Sequence, residues 1–198
     1  MSRPKVASSH SHAPRDIAIA LKRERPDLNT DDYLYLLYAQ RVGRILEAVT
    51  EKYFRSEFDM SAADMRVLFA LRRAGPSYAL RPTELFRSLL VTSGAITKQV
   101  DRLMAAGYVD RRAGPKKSGG FLIHLTKTGF KAADDALTSI ADSSVLSINA
   151  LTSQERKTIN GLFEKMLNDL EKRLPEEGGT DLSEAAEPSR RKTSRAKR

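Results

Sequence analysis

Apolar positions in this chain recur first at three- and four-residue steps. From Tyr33 the series Leu34, Leu37, Tyr38, Val42, Ile45, Leu46, Val49 and Tyr53 marks one face of a helix rather than the alternation of a strand. A helix of this reach is about 40 Å long at roughly 1.5 Å per residue. Asn29 or Thr30 is placed to cap it, and Asp31 and Asp32 suit the positive end of its dipole. Ser61 with Asp64 three residues on is an acidic variant of the capping box. It opens a second helix with Met65, Leu68, Phe69 and Leu71 inward, stopped at Gly75 and Pro76. Pro82 suits the first position of a short helix whose buried side is Leu85, Leu89 and Leu90. After a turn at Val91 and Thr92, residues 93–104 form another helix with Ile96, Val100, Leu103 and Met104 on one face. Two helices joined by so short a turn follow the helix-turn-helix plan.

The period changes after Gly107. Residues 108–112 and 120–125 predict two short strands around the tip 114–120 (GPKKSGG), a hairpin with a basic end. The helical period returns after Thr126 with Phe130, Ala133, Leu137, Ile140 or Ala141, Val145 and Ile148. Thr152 and Glu155 form a capping box for a last helix with Ile159, Leu162, Phe163, Met166, Leu167, Leu170 and Leu174 inward. The apolar stripes of the long first helix and of the last two are wider than the small middle unit can cover. They are expected to bury one another across a two-fold axis, with a single-chain helical bundle as the alternative.

Charge sharpens this picture. The 198 residues include 34 Lys and Arg against 25 Asp and Glu, a net charge of +9. Residues 83–131 hold nine basic residues against three acidic ones, the footprint of a face that binds a polyanion. The end of the chain is polarised differently, with Glu176, Glu177, Asp181, Glu184 and Glu187 ahead of a basic tip at 190–198. That tail, 175–198, is expected to be disordered, its tip serving either non-specific contact with nucleic acid or solubility. Residues 1–28 form an arm, expected to be partly disordered, in which 16–22 can make a short helix.

Several chemistries are excluded. No cysteine is present, so a disulfide framework, a cysteine-ligated zinc or iron–sulfur site and a thiol nucleophile are ruled out. His10 and His12 lie in the arm and His124 in a predicted strand, without a phosphate-cradling glycine motif or metal-spaced carboxylates. No catalytic activity, cofactor or metal is expected. No stretch has signal-peptide character or approaches the roughly 18 apolar residues of a membrane span, so a soluble, cytoplasmic protein with no membrane partner is expected.

Five stretches in order, 65–71 (MRVLFAL), 82–85 (PTEL), 92–103 (TSGAITKQVDRL), 107–112 (GYVDRR) and 125–129 (LTKTG), resemble the winged-helix domain of the multiple antibiotic resistance regulator (MarR) family. The flanking helices fit that family's dimerisation region, so the resemblance spans roughly 30–174. It implies a mainly α fold: a winged helix-turn-helix domain at 61–126 with a small β-hairpin wing, between dimerisation helices at 29–60 and 127–174. It further implies a homodimer on double-stranded DNA carrying a palindromic operator, released or rearranged by a small aromatic or anionic effector. The alternative function is a non-specific architectural DNA-binding protein without an effector, which would discriminate little between operator and random DNA.

The helix at 93–104 supports that role from its own residues. With its apolar side inward, Ser93, Gly94, Thr97, Lys98 and Asp101 fall on the outer face, where a major-groove reader keeps its base-contacting side chains. Thr97 can bond a base edge or a phosphate, and Lys98 a guanine or a phosphate. Asp101 is expected to orient Arg102 or a wing residue, since an unpaired carboxylate beside phosphates is repelled. Thr83, Thr92 and Arg102 complete the helix part of the DNA-facing set. Where the family pattern carries an Asp and paired arginines near the wing tip, this tip has only Lys116 and Lys117; Arg111 and Arg112 sit at the hairpin base, placed for phosphates. Arg81 stands where a Ser-like cap would precede Pro82, a loss of about 1 kcal/mol that a bound phosphate could offset. The resemblance also implies a ligand pocket between the dimerisation helices and the winged domain. By position Tyr38, Arg41, Met65 and Phe69 would line it, unless they are simply core; Arg41 would take an anionic ligand or make an interface ion pair.

Overall fold

The computed structural model describes residues 13–114, 120–142 and 149–173. Its elements in chain order are α1 (Pro14–Glu24), α2 (Asp31–Phe58), α3 (Ala62–Arg73), β1 (Ala79–Leu80), α4 (Pro82–Leu89), α5 (Ser93–Ala105), β2 (Val109–Ala113), β3 (Phe121–Leu125), α6 (Lys127–Asp142) and α7 (Ser153–Glu171). The chain divides into two compact units, Met1–Tyr53 and Phe54–Arg198. No helix among the described residues is long and apolar enough to cross a membrane.

The first unit holds α1 and most of α2. Pro14 at the first position of α1 has no amide hydrogen to leave unsatisfied, and Lys22 and Arg23 meet the negative end of its dipole. This helix extends the short one expected at 16–22. The 28 residues of α2 span about 42 Å at roughly 1.5 Å per residue. Leu36, Tyr38, Val42, Ile45 and Leu46 remain exposed along it.

The second unit is built on α3. Its buried side chains Met65, Val67, Leu68 and Leu71 meet a core shared with Leu85, Ile96, Val100, Leu103, Val109 and Ile123. Phe54, also buried, sets its ring edge-on to Phe69 at 5.9 Å between centroids. The sheet is antiparallel in the order β1-β3-β2. Val109 lies opposite Leu125 and Ala113 opposite Phe121, while Ala79 and Leu80 pair with His124 and Ile123. The hairpin expected at 108–112 and 120–125 is thus present, and β1 is an addition. Two residues are too few to show a period of two, which is why sequence pattern missed it.

Two apolar residues depart from the expected core. Leu90 was expected on the buried side of its helix, but it caps α4 in a left-handed conformation (φ +53°) and is 54% exposed. The tight turn into α5 demands that conformation and lifts the side chain off the core. Met104 is likewise exposed at the end of α5, and the inward position is taken by Gln99, one turn before Leu103. None of the residues of α7 is buried, so Ile159, Leu162, Phe163, Leu167 and Leu170 form an uncovered face. Val145, Ile148 and Leu174 lie outside the described residues.

A close approach holds the hairpin to α6. Thr126 donates its hydroxyl to the carbonyl of Gly107 at 2.8 Å and accepts from the Gly129 amide at 3.0 Å. Gly129 sits so near the chain at Tyr108 that a Cβ there would fall 2.0 Å from the Tyr108 carbonyl oxygen. Only glycine fits. Nearby, Arg72 bonds Asp134 at 2.7 Å and lies over the Phe130 ring at 4.4 Å and the Tyr78 ring at 5.3 Å, which ties α3, the segment before β1 and α6 together.

Candidate nucleic-acid interface

Helices α4 and α5 are joined through Leu90, Val91 and Thr92. The Thr92 hydroxyl oxygen accepts from the Ala95 amide at 3.1 Å, so Thr92 is the N-cap of α5 and is half-buried in that role. Past it, Ser93, Gly94, Thr97 and Lys98 are exposed together on one face. Thr97 donates its hydroxyl to the Ser93 carbonyl at 3.0 Å, which leaves its oxygen free to accept from outside. A Cβ added at Gly94 would meet nothing within 4 Å, so the protein's own packing does not require glycine here.

The start of α4 is closed from the helix side only. The Glu84 carboxylate accepts from the Arg81 amide at 2.6 Å, half of a capping box closed from the helix side. This bond satisfies the Arg81 amide, while no side chain caps the amides of the first turn of α4. Arg81 keeps its guanidinium exposed, as does Thr83 its hydroxyl, at an amino terminus that favours anions.

Arg102 and Asp101 divide their partners. Arg102 holds Asp64 through two bonds, 2.7 and 3.2 Å, linking α5 to the first turn of α3. The pair raises the Arg102 pKa above its ordinary value, the hydrogen bond outweighing burial. Ser61 caps α3 as expected, accepting from the Asp64 amide at 3.0 Å, but the Asp64 carboxylate turns to Arg102 rather than back on Ser61. A carboxylate one methylene shorter than glutamate's is poorly suited to that return. Asp101 lies 4.0 Å from Arg111, the wing-residue option of the two foreseen for it.

At the hairpin base, Arg111 also stacks over Phe121, 4.1 Å from the ring centroid. Arg112 bonds Asp110 at 2.7 Å, while the other carboxylate oxygen of Asp110 is buried with no hydrogen-bond partner among the described residues. Lys116 and Lys117 lie outside the described residues. Sequence pattern read Asp64 only as a cap and missed Phe121, the two residues that aim Arg102 and Arg111; Phe121 had a signal, the hairpin register that sets it diagonally across from Arg111.

The residues expected to line a ligand pocket are distributed over the two units. In the first, Tyr38 is exposed and Arg41 faces a cleft with Pro14, Ile17, Leu37, Gln40 and Arg44. In the second, Met65 is fully buried, so it offers no surface to a ligand, and Phe69 is half-buried against Phe54. Close packing of α3 leaves Met65 no free side.

A capped helix with an exposed polar face, set after a short turn and beside a hairpin with cationic side chains at its base, defines a winged helix-turn-helix domain. A model described as the MarR family matches residues 58–117. The HTH-type transcriptional regulator PecS of Dickeya dadantii is 31% identical over 115 residues, 58% of this chain and 69% of PecS. The multiple antibiotic resistance protein MarR of Escherichia coli is 30% identical over 133 residues, 64% of this chain and 90% of MarR. A mutant of E. coli MarR solved in complex with operator DNA superposes with a TM-score of 0.58 at 26% identity, covering 74% of this chain and 97% of that one. This chain belongs to the MarR family of transcriptional regulators.

Proposed function

We propose that the protein is a homodimeric repressor that acts in the cytoplasm, binds a palindromic operator through α5 and is released by a small aromatic or anionic effector. The observation that carries the dimer is the uncovered face of α7, where Leu162, Phe163, Leu167 and Leu170 recur at helical spacing with about half of each side chain exposed. Completing the burial of such a residue contributes roughly 1 kcal/mol, which makes a second copy of this face a favourable cover. In this reading Ser93, Gly94, Thr97 and Lys98 enter the major groove. Arg81, Thr83, Arg111, Arg112, Lys116 and Lys117 hold phosphates, and Thr92 and Arg102 fix the pose of α5. The MarR mutant solved with operator DNA supports the same use of this fold.

Two reader helices related by a two-fold axis should lie about 34 Å apart, on successive turns of one groove face. Sedimentation at micromolar concentration is expected to give a dimer, and nuclease footprinting an inverted repeat. A monomer, or a footprint without an inverted repeat, refutes the proposal. Equal affinity for operator and random duplex supports the architectural alternative instead.

A further inference from the structure

Within the first unit, α1 and α2 line an open cleft of about 220 Å³. Its walls are Pro14 and Ile17 from α1 and Leu37, Gln40, Arg41 and Arg44 from α2. Leu37, Arg41 and Arg44 follow steps of four and three, so they share the side of α2 turned to α1. Among the described residues, charge in the lining is of one sign: two guanidinium groups and no carboxylate. The apolar part is aliphatic, with no aromatic ring among the described residues on which a planar ligand could stack. The volume lies below the roughly 300–1,000 Å³ of sites for drug-sized ligands, so it suits a compact one.

We propose that this cleft binds a short aliphatic carboxylate. Arg41 and Arg44 take the two carboxylate oxygens, a planar fork matched to them in a way a lysine would not be. The Gln40 amide donates a further hydrogen bond, and the alkyl chain lies on Pro14, Ile17 and Leu37. A bound molecule would bridge α1 to α2, so the arm helix becomes a part that ligand occupancy fastens. This gives the effector reading above a second place to act and rests on that reading only for its regulatory meaning.

Calorimetric titration of the full chain, without DNA, with sodium octanoate tests the site directly. Octanoate is expected to bind once per chain, at least tenfold more tightly than neutral octanamide. The double change Arg41→Gln and Arg44→Gln is expected to weaken octanoate at least tenfold, with helix content by circular dichroism retained. If the double variant loses helix content, Arg44→Gln alone and the octanamide comparison carry the test. No binding to the wild type, equal affinity for octanamide, or an unchanged affinity in a folded variant overturns the proposal. The effector reading fails by a separate measurement, the operator affinity with and without ligand.

Discussion

Replacing Gly94 by alanine separates what the protein needs at the start of α5 from what DNA needs there. Nothing lies within 4 Å of the position a new Cβ would take, so the free protein accommodates the methyl group without strain. Glycine inside a helix is less favourable than alanine by roughly 0.5–1 kcal/mol, because its unfolded backbone has more freedom to lose. Gly94→Ala should therefore raise the unfolding free energy by about that amount. On DNA the sign reverses. If Gly94 is small so that the first turn of α5 can lie against base edges, the methyl group holds the helix off the groove. Loss of one or two of the contacts made there costs about 1–3 kcal/mol, a five- to 150-fold weaker operator complex. Urea denaturation gives the first quantity, and fluorescence anisotropy on a labelled operator at fixed salt gives the second. A stabilised variant with unchanged operator affinity would refute the close approach. A variant that is destabilised would refute the packing argument.

Ser93→Ala and Thr97→Ala should change which bases are preferred, whereas Arg81→Ala should lower affinity nearly equally on all sequences; unchanged preference in both helix variants means the wrong face was chosen. Gly129→Ala forces the chain at Tyr108 and α6 apart from a 2.0 Å approach and should destabilise the fold by about 3 kcal/mol, measured by chemical denaturation. The double change Lys116→Ala and Lys117→Ala should reduce the slope of log affinity against log salt by about 2 on operator and random duplex alike, if both lysines neutralise phosphates. The Glu155 carboxyl is held below its ordinary value by hydrogen bonds from the Thr152 hydroxyl and amide. Its contribution to α7 is complete above the unfolded carboxylate range and is lost as pH falls through the depressed value. Thermal unfolding of wild type and Glu155→Gln should thus converge on acidification, and a gap that persists at low pH contradicts this.

Helices were legible because their signals are local. A stripe at steps of three and four, the caps at Ser61 and Thr152, and the stops at Gly75 and Gly107 act within a turn or two of chain, where the physics is nearly independent of the rest of the fold. The same locality exposed the outer face of α5: once Ile96, Val100 and Leu103 turn inward, Ser93, Gly94, Thr97 and Lys98 have nowhere to go but out. The resemblance to MarR proteins rested on these local pieces in order.

What aims the cations depended on the tertiary structure. Arg102 looked available for DNA until α3 brought Asp64, 38 residues earlier, within 2.7 Å of it. Arg111 gained its ring from Phe121 and its carboxylate contact from Asp101, both supplied by neighbouring elements. The two-residue strand β1 exists because β3 offers it an edge, not because its own residues alternate. The cleft of Arg41 and Arg44 takes part of its lining from Pro14 and Ile17 of α1, which neither stripe announces. Periodicity says which way a side chain faces from its own element; only packing says what stands opposite, and for a charged side chain the opposite group decides whether it is a clamp within the protein or a contact for something outside it.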